Sequence, residues 1–193
     1  MPHKYDALPD PYLYEDGLCL RNIPGLRDPD LLAAFESEQV RLRAEEPMPK
    51  GRFTPSHYRR LHRHLFQDVY DWAGRYRTVR MTKGTSMFCY PEFIARQMDV
   101  LFQTLKEPTL KSATDLSSFV ERAARFLSEL NAIHPFREGN GRAQLAFIRM
   151  IALRAGNPLR MERLLPERFL DAMIASFNDE LAPLIDELEN LIA

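Results

Sequence analysis

Residues 134–142 of the chain read HPFREGNGR. This segment brings a histidine, a glutamate and an arginine close to two glycines that flank an asparagine. Glycine is a poor helix former, yet apolar patterns with helical spacing lie on both sides of the segment. Local chemistry that conflicts with its surroundings is where a functional site is expected. Residues 134–142 are therefore the first candidate for a site.

Helices are predicted on both sides of this segment. In the preceding stretch, SSFVERAARFLSELNAIH, apolar residues recur every three or four positions, and this spacing places His134 on the buried face of the helix. The following stretch, AQLAFIRMIALRAG, is apolar nearly all round, which predicts a central buried helix that ends at Gly156. The segment thus joins two core helices.

Helical patterns extend over most of the remaining chain. One helix is predicted in DPDLLAAFESEQVRLRAEE, and another follows Thr54 as a candidate N-cap with proline next to it. Further helices are predicted from Pro91 onward and in the C-terminal residues 157–193, whereas the proline-rich residues 1–30 predict an extended arm. The sequence predicts a mostly α fold in a single domain, 1–193, with its core at 54–156.

One stretch breaks the helical pattern. Residues 76–90 are rich in β-branched and aromatic side chains around Lys83 and Gly84, which predicts a short β-hairpin. Two interpretations remain open from these residues alone. The hairpin is either a structural loop or a flap that offers unpaired backbone to an extended segment of a partner.

The composition excludes several classes of protein. The 193-residue chain has a formal net charge of −1, which argues against nonspecific nucleic-acid binding. Its two cysteines do not make a disulfide framework. The N-terminus has no apolar signal-peptide core, and no apolar run approaches the roughly 18 residues of a membrane span. We expect a cytoplasmic protein that binds no membrane and no nucleic acid directly.

The glycines of the segment predict an anion site. The helix that follows begins at these glycines, so its first free amides lie around Gly139–Arg142, at the positive end of the helix dipole. Gly139 and Gly141 let the backbone approach a phosphate closely, and Asn140 tolerates a left-handed turn. Arg142 adds a charged guanidinium group, whose parallel N–H donors suit phosphate oxygens.

His134 and Glu138 allow more than one interpretation. His134 is a candidate general base at the rim of the anion site, although a histidine on an apolar face is more often a core residue. Glu138 fits this site if Mg²⁺ lies between its carboxylate and the phosphates. A metal site formed by both side chains is disfavoured because proline and glycine interrupt the helix between them. The coincidence of these features at the start of a buried helix favours function.

The segment resembles the Fic domain signature HPFx(D/E)GNGR at every specified position. The likeness continues in LFQDVYDWAGRYRTVRMTKG and FVERAARFLSELNAIHPF, which resemble Fic proteins of the toxin type. This resemblance implies a mostly helical domain with a β-hairpin flap over the active site. It also implies transfer of AMP from ATP to a hydroxyl side chain of a target protein.

The resemblance assigns roles to residues of the segment. His134 is the base that removes a proton from the target hydroxyl, Glu138 holds Mg²⁺, and Phe136 anchors the loop in the core. The implied ATP-binding residues are Lys83, Gly84, Arg137, Glu138, Gly139, Asn140, Gly141 and Arg142. The implied target-docking residues of the flap are Thr78, Val79, Arg80, Met81 and Thr82.

The chain departs from the family at one position of the extended pattern GNGRxxR. The second arginine, which the family uses for the γ-phosphate and for an inhibitory glutamate, is Leu145 here. Gln144 and Arg149 are the residues near enough for partial replacement. Two alternative functions stay open: transfer of another phosphate-containing group, or a degenerate noncatalytic module that binds nucleotide or protein.

Regulation and target are also expectations from the resemblance. Many Fic proteins carry an inhibitory helix with the pattern (S/T)xxxE(G/N), and the nearest match here, Ser176 with Glu180, is followed by Leu181. This departure places the chain with members whose inhibitory helix is supplied by a separate small antitoxin. The same members suggest a bacterial type II topoisomerase as the target.

Overall fold

The structure is a computed structural model that describes residues 10–83, 86–105 and 115–192. Helices account for most of these residues, which confirms the prediction of a mostly α fold. The helices are α1 (Pro29–Glu45), α2 (Pro55–Phe66), α3 (Pro91–Gln103), α4 (Leu116–Ile133), α5 (Asn140–Ala155), α6 (Pro166–Phe177) and α7 (Ala182–Ile192), with a 3₁₀ turn at Met161–Arg163.

Side-chain caps explain where several helices begin. Asp28 accepts hydrogen bonds from the backbone amides of Asp30 and Leu31, and Pro29 starts α1. The Thr54 hydroxyl accepts from the His57 amide at 3.2 Å, so the predicted N-cap of α2 is confirmed. The Asp115 carboxylate caps α4 at 2.7 Å. These caps satisfy amides that have no partner inside the helix.

Helix α4 lies at the centre of the molecule, where it packs against α3, α5, α6 and α7. Helix α5 packs between α4 and α2. Aromatic rings fill the space among α2, α3, α4 and α5: Tyr58 and Phe147 lie 5.1 Å apart, and Phe102 and Phe126 lie 5.3 Å apart. Because α4 and α5 are both held in this core, the loop between them has fixed ends.

The strand pairing in the predicted hairpin is short. Strands β1 (Thr82–Lys83) and β2 (Ser86–Met87) pair antiparallel, with Thr82 opposite Met87. Residues 76–81 approach β1 without regular strand pairing, so the observed pairing covers only the tip of the predicted 76–90 span. Gly84, at the predicted turn, lies outside the described residues.

The N-terminal arm is held against the core where the structure describes it. Its backbone forms an antiparallel bridge between Leu13 and Leu20. The Tyr12 ring meets the Trp72 ring edge-on at 5.4 Å. Within the described ranges, no helix is long and apolar enough to cross a membrane.

Candidate active site

His134 ends α4 in a left-handed conformation. Its φ and ψ are 47° and 63°, and its amide donates to the Leu130 carbonyl at 3.0 Å. The imidazole stacks on the Phe88 ring at 3.9 Å and lines a cleft. The prediction that His134 continues along the buried helix face is therefore wrong, because the backbone turns at this residue and directs the ring into the cleft.

A buried arginine holds the backbone in this turn. Arg77 is 2% exposed, and its Nε donates to the His134 carbonyl at 2.8 Å. Its Nη2 donates to the Ile133 carbonyl at 3.2 Å, and its backbone amide donates to the Pro135 carbonyl at 2.9 Å. Three consecutive carbonyls thus share one donor residue. A left-handed non-glycine residue is strained and persists only when its surroundings fix it, which Arg77 does here.

The same guanidinium also fixes the chain beside the hairpin. Arg77 Nη1 donates to the Val79 carbonyl at 2.6 Å, and Nη2 donates to the Cys89 carbonyl at 2.5 Å. Burial lowers the pKa of Arg77. Sequence reasoning did not find this residue, because one arginine among several in residues 75–80 has no local signal that predicts burial.

Asn140 closes the loop of the motif on itself. Its Oδ1 accepts from the Phe136 amide at 2.9 Å, and its Nδ2 donates to the Phe136 carbonyl at 2.8 Å. Asn140 is the first residue of α5, and the left-handed turn that asparagine would tolerate lies at Gly139 instead. Within residues 134–142 the left-handed residues are His134 and Gly139. The Asn140 side chain is occupied with loop shape.

Glycine occupies positions 139 and 141 for different structural reasons. Gly139 has a φ of 78°, and a Cβ at this position would lie 2.3 Å from the Phe66 ring. A side chain is therefore excluded by the fold. A Cβ on Gly141 would meet none of the described neighbouring residues within 4 Å, and its φ is not in the left-handed region. The fold gives no reason for glycine at 141. The remaining explanation is that a ligand approaches the backbone closely at this position.

The start of α5 presents its amides to the cleft. The Ala143 amide makes the first helical hydrogen bond, to the Gly139 carbonyl at 3.0 Å. The amides before it lack intrahelical partners, as at any helix start. Gly139, Asn140 and Gly141 all line the cleft. A helix start of this kind can bind an anion, and the anion site stays a prediction.

A second buried residue that sequence reasoning missed is His62. Its Nδ1 accepts from the Gly74 amide at 2.9 Å, so its Nε2 carries the proton that is donated to the Glu138 carbonyl, also at 2.9 Å. Its ring lies 3.7 Å from the Phe136 ring. Burial lowers the pKa of His62 to about 3, which keeps the ring neutral. His62 thus fixes the backbone of Glu138.

The charged residues of the motif have defined partners. Glu138 Oε1 accepts from the Gly139 amide at 2.8 Å and lies 3.5 Å from Arg142 Nη2. Arg142 also bonds the buried carboxylate of Glu36. Arg137 pairs with Asp10 of the N-terminal arm at 2.9 Å, and its side chain lines the cleft. All three of these motif residues line the cleft.

The cleft has a volume of about 770 Å³. One side is the motif loop and the start of α5, and the other side is the apolar surface of α6 with Leu164, which lies two residues before that helix. The apolar residues are Leu164, Pro166, Phe169, Leu170, Met173, Ile174 and Phe177. Gln144 also lines the cleft, and its buried Nε2 makes no hydrogen bond to the residues that the structure describes.

Only part of the predicted flap faces the cleft. Met81 and Thr82 line it, whereas Thr78, Val79 and Arg80 do not. The Thr78 amide donates to the Tyr12 hydroxyl at 3.2 Å, and the Arg80 guanidinium lies 4.3 Å above the Tyr90 ring. The Lys83 side chain lies outside the described part of the structure, as does Gly84.

A second cavity of about 800 Å³, called the groove below, adjoins the cleft. Arg142 and Leu145 line both cavities. Arg149, a candidate replacement for the missing arginine, lines only this second groove. The groove is mainly apolar, and its other apolar residues include Val40, Met48, Leu65, Ala146, Met150, Leu153 and Met161.

Residues 52–152 match the sequence pattern of the Fic/DOC family. The chain belongs to this family. It is 46% identical to "Probable protein adenylyltransferase y4lH" of Sinorhizobium fredii, over 98% of this chain and 99% of that relative. It is 37% identical to "Probable protein adenylyltransferase Fic" of Escherichia coli, over 82% of this chain and 80% of the relative.

Solved structures agree with this assignment. The fold is similar to that of the Bartonella tribocorum effector BepC with bound AMPPNP, with a TM-score of 0.82 and 26% identity. The match covers 93% of this chain and 95% of that structure. The resemblance to Fic domains is thereby confirmed for the fold and the family.

Glu138 is the Fic/DOC motif residue that fits a magnesium ion. No group of three or more histidine, cysteine or acidic side chains comes together within residues 10–83, 86–105 and 115–192. Magnesium at phosphate-transfer sites needs only one or two carboxylates, because the substrate phosphates and water supply the other ligands. The half-exposed Glu138 carboxylate beside the free amides of α5 meets this requirement.

Proposed function

We propose that this Fic/DOC chain transfers AMP from ATP to a hydroxyl side chain of a target protein. The observation that carries this proposal is the position of His134, whose ring is turned into the same cleft as the free amides of α5. A candidate base and a candidate anion site thus face the same cleft. The names of the two relatives, both protein adenylyltransferases, support the same activity.

The residues divide the chemistry among them. His134 takes the proton of the target hydroxyl while that oxygen bonds to the α-phosphorus, and the bond from phosphorus to the bridging oxygen breaks. The amides at the start of α5 stabilise the negative charge that develops on the phosphate. Arg142 stabilises the outer phosphates, which leave as pyrophosphate. Gly141 leaves the space that this approach requires.

Magnesium would be held by the Glu138 carboxylate together with the phosphates. When bound, the ion neutralises charge on the phosphate oxygens. The Gly139 amide already orients Glu138 Oε1 at 2.8 Å, and His62 fixes the backbone of the same residue. The metal ligand is therefore held before nucleotide binds.

The apolar side of the cleft suits the base of the nucleotide. Ligand sites are mainly apolar with a few placed polar groups. Phe169, Met173 and Ile174 of α6 provide the apolar surface opposite the motif. Gln144 Nε2, which bonds none of the residues that the structure describes, provides a buried donor in the lining of the cleft. ATP would lie with its phosphates on α5 and its base toward α6.

Labelled ATP distinguishes this activity from its alternatives. The full chain is incubated with Mg²⁺, a bacterial cell lysate and ATP labelled at either the α- or the γ-phosphate. AMP transfer labels protein from the α-position only. Label from the γ-position would instead show phosphate transfer. ATP binding without any labelling would show a noncatalytic module. Leu145, which stands where the family pattern has its second arginine, favours that alternative.

The flap is proposed as the docking site for the target. The backbone amide of Phe88 donates to the Met81 carbonyl at 3.2 Å, so the chain beside β1 is held in extended form. Met81 and Thr82 line the cleft next to His134, where an added strand would bring a hydroxyl to the base. Met81→Pro removes a backbone donor. We expect protein labelling to fall while ATP binding is unchanged.

Regulation by a separate antitoxin is proposed from the groove beside the cleft. The groove presents an apolar surface of α5 next to Arg142, and an amphipathic helix fits such a surface. The chain would then act as the toxin of a cytoplasmic toxin–antitoxin pair, with a type II topoisomerase as target. Labelling of a purified bacterial topoisomerase, and its inhibition by a small protein with an (S/T)xxxE(G/N) helix, test the two parts separately.

A further inference from the structure

Glu36 is a buried carboxylate in the middle of α1. The residue is only 7% exposed, whereas Glu38 and Glu45 on the same helix are exposed and pair with Arg41. A buried carboxylate is costly unless it is paired and hydrogen-bonded. An apolar residue would suit this face of α1 better, so the carboxylate has another reason to be there.

Both oxygens of this carboxylate are bonded to defined donors. Oε1 accepts from Nη2 of Arg142, and Oε2 accepts from the Tyr70 hydroxyl. The Tyr70 ring stacks on Trp72 at 4.3 Å, which fixes the hydroxyl. Burial and the charge of Glu36 raise the pKa of Tyr70, so the hydroxyl stays a donor. The carboxylate is held from both sides.

Arg142 is held at one end only. Its Nη2 contacts Glu36 and lies 3.5 Å from Glu138, and its guanidinium lies 4.8 Å from the centre of the Phe66 ring. Nε and Nη1 make no hydrogen bond to any part of the chain that the structure describes. The side chain is 36% exposed and lines the cleft. The guanidinium is thus anchored on its buried side and open on its cleft side.

We propose that Glu36 is a positioning residue for nucleotide binding: it holds Nη2 of Arg142 so that the remaining guanidinium donors face the outer phosphates of ATP. Tyr70 supports this role by orienting the carboxylate. The inference rests on the proposed function, because it needs Arg142 to contact phosphates. A flexible arginine would lose rotamer freedom on binding, and an anchored one has already lost it.

The test compares nucleotides that differ only in their outer phosphates. Affinities for ATP and AMP are measured by calorimetry with Mg²⁺ for the full chain and for Glu36→Gln. We expect ATP binding to weaken roughly ten- to hundredfold, the range of a lost charge-assisted bond, and AMP binding to stay within about twofold. Glu38→Gln is the matched control, because it removes an arginine-paired carboxylate on the exposed face of α1. It should change neither affinity.

A purely structural role for Glu36 predicts different results. Equal losses for ATP and AMP, or no loss for either, would overturn the inference. Tighter ATP binding by Glu36→Gln would also overturn it, because the carboxylate would then compete with phosphate for Arg142. If Glu36→Gln does not fold, Tyr70→Phe removes only the orienting hydroxyl. That variant should weaken ATP binding several-fold without affecting AMP, and an equal effect on both nucleotides would overturn the inference.

A double-mutant cycle separates this inference from the proposed function. In an Arg142→Ala background, Glu36→Gln should weaken ATP binding no further, because it acts through the absent guanidinium. Additive losses would overturn the inference alone. If Arg142→Ala itself leaves ATP affinity unchanged, Arg142 does not contact phosphates, and the proposed role of the motif fails first.

Discussion

At the scale of single residues, Arg77 shows how tertiary contacts hold a reactive histidine in place. Four carbonyls accept from its guanidinium, and two of them belong to Ile133 and His134. No carboxylate pairs with Arg77 in the described ranges, so backbone carbonyls alone offset the burial of its charge. The conformation of His134 is therefore tied to the chain beside the hairpin.

Arg77→Lys should destabilise the protein by at least about 3 kcal/mol, because lysine cannot reach the carbonyls on both sides and leaves buried acceptors unpaired. Urea unfolding measures the change. Arg75→Lys is the control, since Arg75 is exposed two residues away, and should change stability by less than about 0.5 kcal/mol. A similar small effect at Arg77 would show that its hydrogen bonds do not hold the loop.

His62 makes stability depend on pH. Its pKa is about 3 in the folded protein, whereas an unfolded histidine titrates near 6.5. Below about pH 6.5 the His62 imidazole binds a proton in the unfolded state but stays neutral in the folded state. The free energy of unfolding therefore falls as pH decreases. Between pH 7 and pH 5 this group should remove about 2 kcal/mol from the free energy of unfolding. Unfolding of His62→Gln at both pH values checks this, because glutamine does not titrate. An equal pH dependence in both proteins would contradict it.

At the scale of elements, the start of α5 separates a glycine required by the fold from one left for a ligand. Gly139→Ala should destabilise the protein by at least about 2 kcal/mol, because its φ is positive and Phe66 occupies the space of a Cβ. Gly141→Ala should keep or raise stability, by up to about 1 kcal/mol, yet weaken ATP binding. Thermal unfolding and calorimetry measure the two effects. Unchanged ATP affinity in Gly141→Ala would show that no ligand approaches this position.

The same elements show what the sequence could predict. Helix α2 was predictable because Thr54 and Pro55 form a local start signal, and the apolar spacing of α4 and α5 placed them in the core. The turn at His134 was not predictable, because Arg77 produces it from 57 residues away. The role of the Asn140 side chain was not predictable for a related reason: it bonds the Phe136 backbone, whereas Gly139 takes the positive φ. The partners Glu36 and His62 lie on distant helices and have no motif of their own.

At the scale of the whole molecule, the cleft and the groove meet at Leu145, where the chain departs from the family pattern. Leu145→Arg would place a new guanidinium between the two cavities, three residues beyond Arg142. We expect a folded variant that binds ATP roughly tenfold tighter. Leu153→Arg is the control, because Leu153 is exposed on the same helix and lines only the groove. A folded Leu145→Arg with unchanged ATP affinity would show that this position does not face the phosphates.

The central claim is that His134 is the base of an AMP transfer reaction, and His134→Ala tests it most directly. Loss of a general base lowers a rate by about 10²–10⁴. We expect His134→Ala to lose protein labelling from α-labelled ATP by at least about a hundredfold, while its ATP affinity and its melting temperature stay close to those of the unsubstituted chain. Undiminished labelling, or a folded yield that collapses with the substitution, would contradict it.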